Sequence, residues 1–456
     1  MAAVNRVLLL NPPWRAPILR DAYCTSVSKA GYLWPPVDLL AQTGHLHAAG
    51  FEVDLVDAIA ARTSRAACLD RIARFDPAAV VLLSSPLSER DDDAIARELP
   101  GRTVIVSGEA ASAHPAAYLA ARPWVAAVLT DYTADSVALL LRGARGALPA
   151  LWRREGGCVV PGFAAEGPVR LPPPRHDLLD LDAYRMPLSG GGRVGTLLTD
   201  FGCARRCRYC NSGSFGHRLR DPPELEPELD VLERLAVRHL LVKDMSFGAV
   251  PAHALAVCAR LARRRMTWRA YVRADDVTPS LAAAMSSSGC RLVQIGLESG
   301  APRLRREYGK DVDDAVFEKA VGLCRAHGMG VGLHLVLGLP GEDASTLRAT
   351  RRLVARLRPD YVSANVATIR SGSAAERGAP RGLGPVPAGI LWARARLYLD
   401  LHLRPAWIRA ALRTAGTARA RASLARSGWT LARGLLGARR ERRWLDELRR
   451  PRAGAA

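Results

Sequence analysis

Lysine is nearly missing from this chain. Its 456 residues hold four, Lys29, Lys243, Lys310 and Lys319, so the net charge of +21 is almost wholly arginine. The abundance of Ala, Arg, Gly and Pro makes genomic base composition one source of that charge, which weakens it as a sign of function. No apolar run is long enough to cross a bilayer. The opening MAAVNRVLLLNPPW lacks a charged segment followed by a cleavable apolar one, and reads as a buried first strand. The nine cysteines are odd in number, and Cys24, Cys68, Cys158, Cys258, Cys290 and Cys324 occur singly. That is not a disulfide framework, and it fits a reducing cytoplasm. Nucleic acid is disfavoured as a partner, because no zinc-finger pattern or aromatic-interleaved stacking platform is present.

What is present is two series of alternating strands and helices. The length predicts two or three domains, and a 49% hydrophobic fraction suits folded cores. Apolar runs at 6–10, 53–56, 79–83, 103–106 and 125–129, separated by helix-sized segments, predict a Rossmann-like, doubly wound α/β domain over 1–145. In such a sheet ligands bind beyond the carboxyl ends of the strands. Those ends carry Asn11, Pro12 and Pro13, Asp57, Ser84 and Ser85, Ser107, Gly108 and Glu109, and Thr130 and Asp131. Residues 146–193 read as a linker, dense in Pro and Gly (Pro172-Pro173-Pro174, Gly190-Gly191-Gly192) and weak in periodicity. Over 194–375, strands at 196–199, 239–242, 269–272, 292–295, 330–336 and 361–366 predict a partial (β/α)6 TIM-type barrel, with its site at the strand C-terminal ends. Residues 376–456 read as a basic helical region: from Arg381 to Arg452 seventeen arginines stand against Asp400, Glu441, Asp446 and Glu447, a net of +13. There Trp407, Ile408 and Leu412, and Trp429, Ala432, Leu435 and Leu436, recur at helical spacing. This suits either an interfacial helix at an acidic membrane surface or a helix packed on the barrel with a solvated basic side.

The most informative stretch is GTLLTDFGCARRCRYC (195–210), where Cys203, Cys207 and Cys210 follow an apolar run with the spacing CxxxCxxC. Neither a second CxxC nor an HxxxH follows to complete a zinc tetrahedron, and His217 is the one nearby candidate for a fourth ligand. Three thiolates suit a 4Fe-4S cluster that keeps one iron open for a small molecule. The interleaved Arg205, Arg206 and Arg208 are expected to favour thiolate. Tyr209 either packs the loop onto the barrel or contacts a planar base.

With an aromatic before its last cysteine, at the end of the first strand of a six-unit barrel, this pattern resembles the radical S-adenosylmethionine superfamily. GCRLVQIGLESG (289–300) and LHLVLGLPGED (333–343) resemble its fourth- and fifth-strand motifs. The preceding LLLNPP, WPPVDLL, AAGFEVDLVDA and VIVSGE resemble the cobalamin-binding domain of its cobalamin-dependent branch. Together these cover about 370 residues. The resemblance implies that Cys203, Cys207 and Cys210 ligate a catalytic 4Fe-4S cluster whose open iron takes S-adenosylmethionine. It further implies that Asp244 contacts the methionine amino group, Arg273 its carboxylate, and Glu298, with Ser299 beside it, the ribose. Gly338 and Pro340, flanking Leu339, would approach the adenine, with Tyr209 nearby. Asn11, Pro12, Ser84, Ser85, Ser107, Gly108 and Thr130 would contact cobalamin. Each polar residue could instead cap a helix or tie a loop.

One departure is plain. The DxHxxG loop that holds cobalt in many cobalamin domains reads NPPW here, and His45 and His47 belong to the end of the first helix. The implied activity is C-methylation of an unactivated carbon through a 5'-deoxyadenosyl radical, on a hydrophobic lipid or natural-product intermediate. Cyclisation or rearrangement in the same branch is an alternative, and a non-enzymatic metal-binding structural or regulatory protein is another. Implied partners are a small-molecule or lipid substrate and an external electron donor of the flavodoxin or ferredoxin type. Peripheral contact with the inner membrane face, through the basic C-terminal region, is a further expectation.

Overall fold

The structure, a computed structural model, describes residues 5–450 apart from 24, 185, 187–188, 190–191, 369, 379–382, 415–417 and 437. Cys24, Gly190, Gly191, Arg381 and Arg452 therefore lie outside the described residues. The chain divides into two compact units, residues 1–185 with 218–236, and residues 186–217 with 237–452.

The first unit is built on a seven-stranded sheet. Strands β1 (Arg6–Asn11), β2 (Glu52–Asp57), β3 (Ala79–Leu83), β4 (Thr103–Ser107) and β5 (Ala127–Leu129) pair in parallel in the order β2-β1-β3-β4-β5. The interiors of β1 and β3 are continuous apolar runs without exposure, as expected where both faces of a parallel sheet are covered. Two further strands, β6 (Leu151–Glu155) and β7 (Cys158–Val160), extend the sheet antiparallel from β5. They fall in the segment read as linker. Gly156 (φ +56) and Gly157 (φ +84) make the two-residue hairpin turn between them, a conformation with positive φ at both central positions. The short alternation LWRRE, set among prolines, hid the hairpin.

The second unit holds six parallel strands in consecutive order: β8 (Arg193–Leu197), β9 (Val237–Val242), β10 (Thr267–Val272), β11 (Cys290–Glu298), β12 (Gly330–Leu337) and β13 (Tyr361–Val366). The sheet is curled into a partial barrel. On β13, Val362, Ala364 and Val366 are buried while Tyr361, Ser363 and Asn365 are partly open; on β12, His334 and Val336 are partly open between buried leucines. The buried set faces the surrounding helices, since the Tyr398 hydroxyl of helix α1 (Ala388–His402) bonds to Ala364 N–H at 3.0 Å. The open set lines the lumen.

Helices α2 (Pro405–Thr414), α3 (Ala418–Leu436) and α4 (Ala438–Leu448) follow. Of the tryptophan-bearing faces, Trp407 is packed, its indole N–H donating to the Asp360 carbonyl, whereas Trp429 is 67% exposed. Among the described residues, no helix is long and apolar enough to cross a membrane.

Candidate functional site

The cysteine loop leaves the C-terminal end of the barrel's first strand and is closed at its neck by glycine. Gly202 has φ +79, and a Cβ there would lie 1.9 Å from the Gly216 carbonyl oxygen, which accepts the Cys203 N–H at 2.9 Å. No larger residue lets the two arms approach so closely. Cys203, Cys207 and Cys210 are free thiols, half-buried on this loop. Each sulfur faces an N–H donor: Arg205 N–H reaches Cys203 Sγ at 3.4 Å, Ser212 N–H reaches Cys210 Sγ at 3.4 Å, and Arg273 Nη1 lies 3.9 Å from Cys207 Sγ. Donors aimed at sulfur are what an anionic cluster's thiolates need. Among the described residues no three His, Cys, Asp or Glu side chains converge on the position of a single metal ion. A cubane carries its three thiolates on three separate irons, so the donor set fits that group.

Burial pushes the free Cys203 thiol up to about 11 and raises that of Cys210 against the opposing pull of Ser212. The expectation that Arg205, Arg206 and Arg208 favour thiolate is corrected here. Arg205 is drawn to Asp276 at 2.7 Å, Arg208 reaches toward the Glu307 carbonyl, and Arg206 is exposed. Consecutive loop side chains splay outward, and the guanidinium that meets a sulfur comes from Arg273 on another strand.

Tyr209 turns into the barrel. Its ring lies 6.5 Å from that of Tyr308, against the apolar cluster of Ala301, Leu304 and Leu339. Burial and the Glu298 carboxylate, to which its hydroxyl is hydrogen-bonded, push that hydroxyl well above the usual phenol range. Of the two roles weighed for it, loop packing is the one its contacts display.

The other strand-end residues are placed as follows. Asp244 is buried after β9; its carboxylate accepts the Thr199 N–H (2.8 Å), the Asp200 N–H (3.1 Å) and the Thr199 hydroxyl, tying the end of the first strand to the second. Burial, with Asp200 beside it, holds its carboxyl well above the usual range. Arg273 clamps Asp275 through two 2.9 Å bonds while facing Cys207. Glu298 ends β11 in the left-handed region, φ +63, and accepts the Lys310 ammonium at 2.9 Å. Ser299 is buried, its oxygen accepting the Ala301 N–H. Gly338 has φ +81 and its N–H is taken by Glu342, while the Pro340 carbonyl accepts the Tyr308 hydroxyl at 3.1 Å. His217 is bonded through Nε2 to Asp200 at 3.1 Å.

In the first unit, the residues expected at a ligand are bonded mainly to one another. Asn11 donates to Asp57 (2.9 Å) and accepts from the fully buried Arg20, which also donates to the Pro12 carbonyl at 3.1 Å. Asp57 takes the Tyr184 hydroxyl at 2.7 Å as well. The Ser84 and Ser88 hydroxyls donate to Asp92 at 2.9 and 2.7 Å, and the Ser85 hydroxyl lies 2.7 Å from that of Ser88. The Ser107 carbonyl accepts the Ser84 N–H, and Thr130 donates through both N–H and hydroxyl to Ala150. Gly108 (φ +103) is required because a Cβ would stand 2.3 Å from the Ser84 oxygen. His45 is buried against the Thr133 carbonyl, as a helix-end residue rather than a metal ligand. No histidine stands on the loop after β1, which reads NPPW.

The lumen residues were missed. Tyr271, Gln294, Gly332 and Tyr361 stand at one level of the curled sheet. A Cβ at Gly332 would lie 2.1 Å from the Tyr361 ring, which therefore lies over it. Tyr361 donates to Gln294 Oε1, and His334 Nε2 is 3.0 Å from the Tyr361 oxygen. Burial leaves Gln294 3% exposed. The signal was available: polar residues recur at every second position in YVSANV, and His334 interrupts the apolar run LHLVL, where helix-covered strands need apolar residues only on the outer face.

Residues 199–354 match the family model described as the radical SAM superfamily. An uncharacterised methyltransferase of Pyrococcus horikoshii is 27% identical over 209 residues, covering 44% of this chain and 45% of that protein. The tryptophan 2-C-methyltransferase of Streptomyces laurentii is 24% identical over 177 residues, covering 34% and 29%. The match thus spans less than half the length of each of these two relatives. Among solved structures, the radical S-adenosylmethionine methyltransferase TsrM of Kitasatospora setae, with cobalamin and a 4Fe-4S cluster bound, superposes with a TM-score of 0.64 at 19% identity over 85% of this chain and 78% of that one. The cobalamin-dependent S-adenosylmethionine radical enzyme OxsB gives 0.62 at 16% identity, over 79% and 53%. The chain therefore carries a radical SAM superfamily domain and, over most of its length, has the fold of the cobalamin-dependent S-adenosylmethionine radical enzymes.

Proposed function

We propose that this protein is a cobalamin-dependent radical S-adenosylmethionine enzyme that transfers a methyl group to an unactivated carbon. Residues 1–145 are assigned to cobalamin, 194–375 to the cluster and S-adenosylmethionine, with 146–193 linking them and 376–456 as the basic helical region. The observation that carries the reading is the set of three free thiols, each facing an N–H donor, on a loop at the C-terminal end of the first strand of a six-stranded parallel barrel. When bound, the cluster supplies the electron that cleaves S-adenosylmethionine, and cobalamin the methyl group. The chain's own residues position and exclude water: Arg273 orients Cys207, Asp244 locks the first two strand ends, and Tyr209 seats the loop. Glu298 and Gly338 flank the same mouth, at the ends of the fourth and fifth strands, where a nucleoside would be held.

The polar lumen side chains Tyr271, Gln294, His334 and Tyr361 favour a natural-product intermediate with hydrogen-bonding groups over a wholly apolar lipid. Cyclisation or rearrangement uses the same machinery and differs in product. A structural metal protein is disfavoured by His217, whose Nε2 is taken by Asp200. An acidic flavodoxin or ferredoxin and the inner membrane face are partners suited to the basic C-terminal surface, in a cytoplasmic protein.

Anaerobic reconstitution tests the reading. 5'-deoxyadenosine formed from S-adenosylmethionine under reduction supports it, and tightly bound colourless zinc with no cleavage rejects it. Retention of corrinoid absorbance after desalting tests the cobalamin assignment separately.

A further inference from the structure

The last described turn of the chain reaches the mouth of the barrel. Arg449, just past α4, is 4% exposed. Its Nη1 donates to the carbonyls of Gly338 (3.3 Å) and Ala367 (2.7 Å), Nη2 to Leu383 (3.0 Å) and Nε to Gly384 (2.8 Å). Its own carbonyl accepts the Leu383 N–H at 2.9 Å. Gly338 follows β12 and Ala367 follows β13, so one guanidinium joins the ends of the fifth and sixth strands to the terminal helix. A planar fork of five donors can serve four carbonyls at once, which a lysine ammonium with three donors cannot.

Helix α4 is held independently. Asp446 accepts the Val386 N–H at 2.7 Å, Arg442 donates to the Val386 carbonyl at 2.9 Å, and Glu441 forms a two-bond pair with Arg394, itself 2% exposed. The basic charge of the C-terminal region is therefore not all solvated: part of it is spent inside the barrel unit on backbone carbonyls. Gly338, at φ +81, has Arg449 Nη1 and Ile390 3.6 Å from where a Cβ would stand, so the turn is bounded by this arginine on its outer side.

We infer that Arg449 is a positioning residue for the S-adenosylmethionine site, fixing the Gly338-Leu339-Pro340 turn through the Gly338 carbonyl and so making the terminal helix part of the barrel's mouth. This rests on the proposed function, which sets that turn against the adenine.

The test uses the full-length, cluster-reconstituted protein and measures S-adenosylmethionine affinity by anaerobic equilibrium dialysis beside the melting temperature. Arg449→Lys should weaken affinity about tenfold, roughly the loss of one charge-assisted hydrogen bond. Glu441→Gln, which loosens the same helix without touching Gly338, should lower the melting temperature yet leave affinity within about twofold. Unchanged affinity in Arg449→Lys, or affinity that follows melting temperature in both variants, overturns the inference while the functional reading stands. Wild-type protein that binds no S-adenosylmethionine overturns both. A second measurement needs no variant: adding S-adenosylmethionine to wild type should slow hydrogen exchange at 338–342 and 445–450 together, and protection confined to the first segment counts against the coupling.

Discussion

Lys310 Nζ lies 2.9 Å from Glu298 Oε1, and Gly296 is the reason the pair fits. A Cβ at Gly296 would stand 2.5 Å from that oxygen and 2.6 Å from that nitrogen. The pair is nearly dry, its side chains 5% and 12% exposed. Lys310→Met should therefore strand a carboxylate away from water and destabilise the protein by about 3 kcal/mol, read from the urea midpoint at constant m-value. Gly296→Ala should act in the same direction by overpacking the pair. A Lys310→Met midpoint equal to wild type would show that the Tyr209 hydroxyl or water already satisfies Glu298.

Gly202 offers a sharper test of the cysteine loop. Gly202→Ala places a Cβ 1.9 Å from the Gly216 oxygen at φ +79, so the neck cannot close. Iron bound after reconstitution should fall to the level of Cys203→Ala, although the three cysteines remain. Wild-type iron content in Gly202→Ala would refute a preformed loop.

The pH dependence of stability should report Glu342. Burial, with Asp343 beside it, pushes its carboxyl up to about 7, against the opposing pull of the Gly338 N–H. A carboxyl whose native value is raised binds its proton more tightly folded than unfolded. Its contribution is therefore complete below about 4.5 and is lost as pH rises through about 7. Wild type should lose up to ~3 kcal/mol between pH 5 and 8 from this group, and Glu342→Gln should flatten that slope. Parallel slopes in the two proteins would exclude Glu342 as the source.

The lumen makes a prediction that separates substrate handling from radical formation. Tyr361→Phe removes the donor to Gln294 and the oxygen that His334 meets, and should cost about 1–2 kcal/mol of stability. S-adenosylmethionine cleavage without substrate should persist near the wild-type rate, because the Tyr361 hydroxyl bonds to Gln294 and His334, which lie inside their strands rather than at the strand ends that carry the cysteine loop and the nucleoside residues. Loss of cleavage in step with stability would place Tyr361 in the cofactor site instead.

How much of this was legible beforehand varied with the physics involved. Strand β13 is the predicted 361–366, and the other barrel strands differ from expectation by a few residues at their ends, because helix-covered strands need an apolar outer row that sequence displays directly. The hairpin at 151–160 was not seen, since three- and five-residue strands carry too short an alternation. Asp244, Asn11, Ser84 and Thr130 were correctly picked out as polar residues at strand ends, but not their partners. A carboxylate free for a ligand and one taken by the Thr199 and Asp200 N–H groups look the same in sequence.

The sequence alone determined what depends on residue type and local spacing: two alternating α/β series, a CxxxCxxC loop, and glycines where the backbone takes positive φ. Tertiary structure alone decided which polar groups are already bonded. Arg208 and Arg273 are both arginines within reach of the motif by composition, yet only the second faces a sulfur, because it enters from a different strand. Arg449 lies 111 residues from Gly338, and no local pattern foretells that its guanidinium ends on that carbonyl. Hydrogen bonds between distant segments are set by where the whole chain packs, and the shape of this site is made of them.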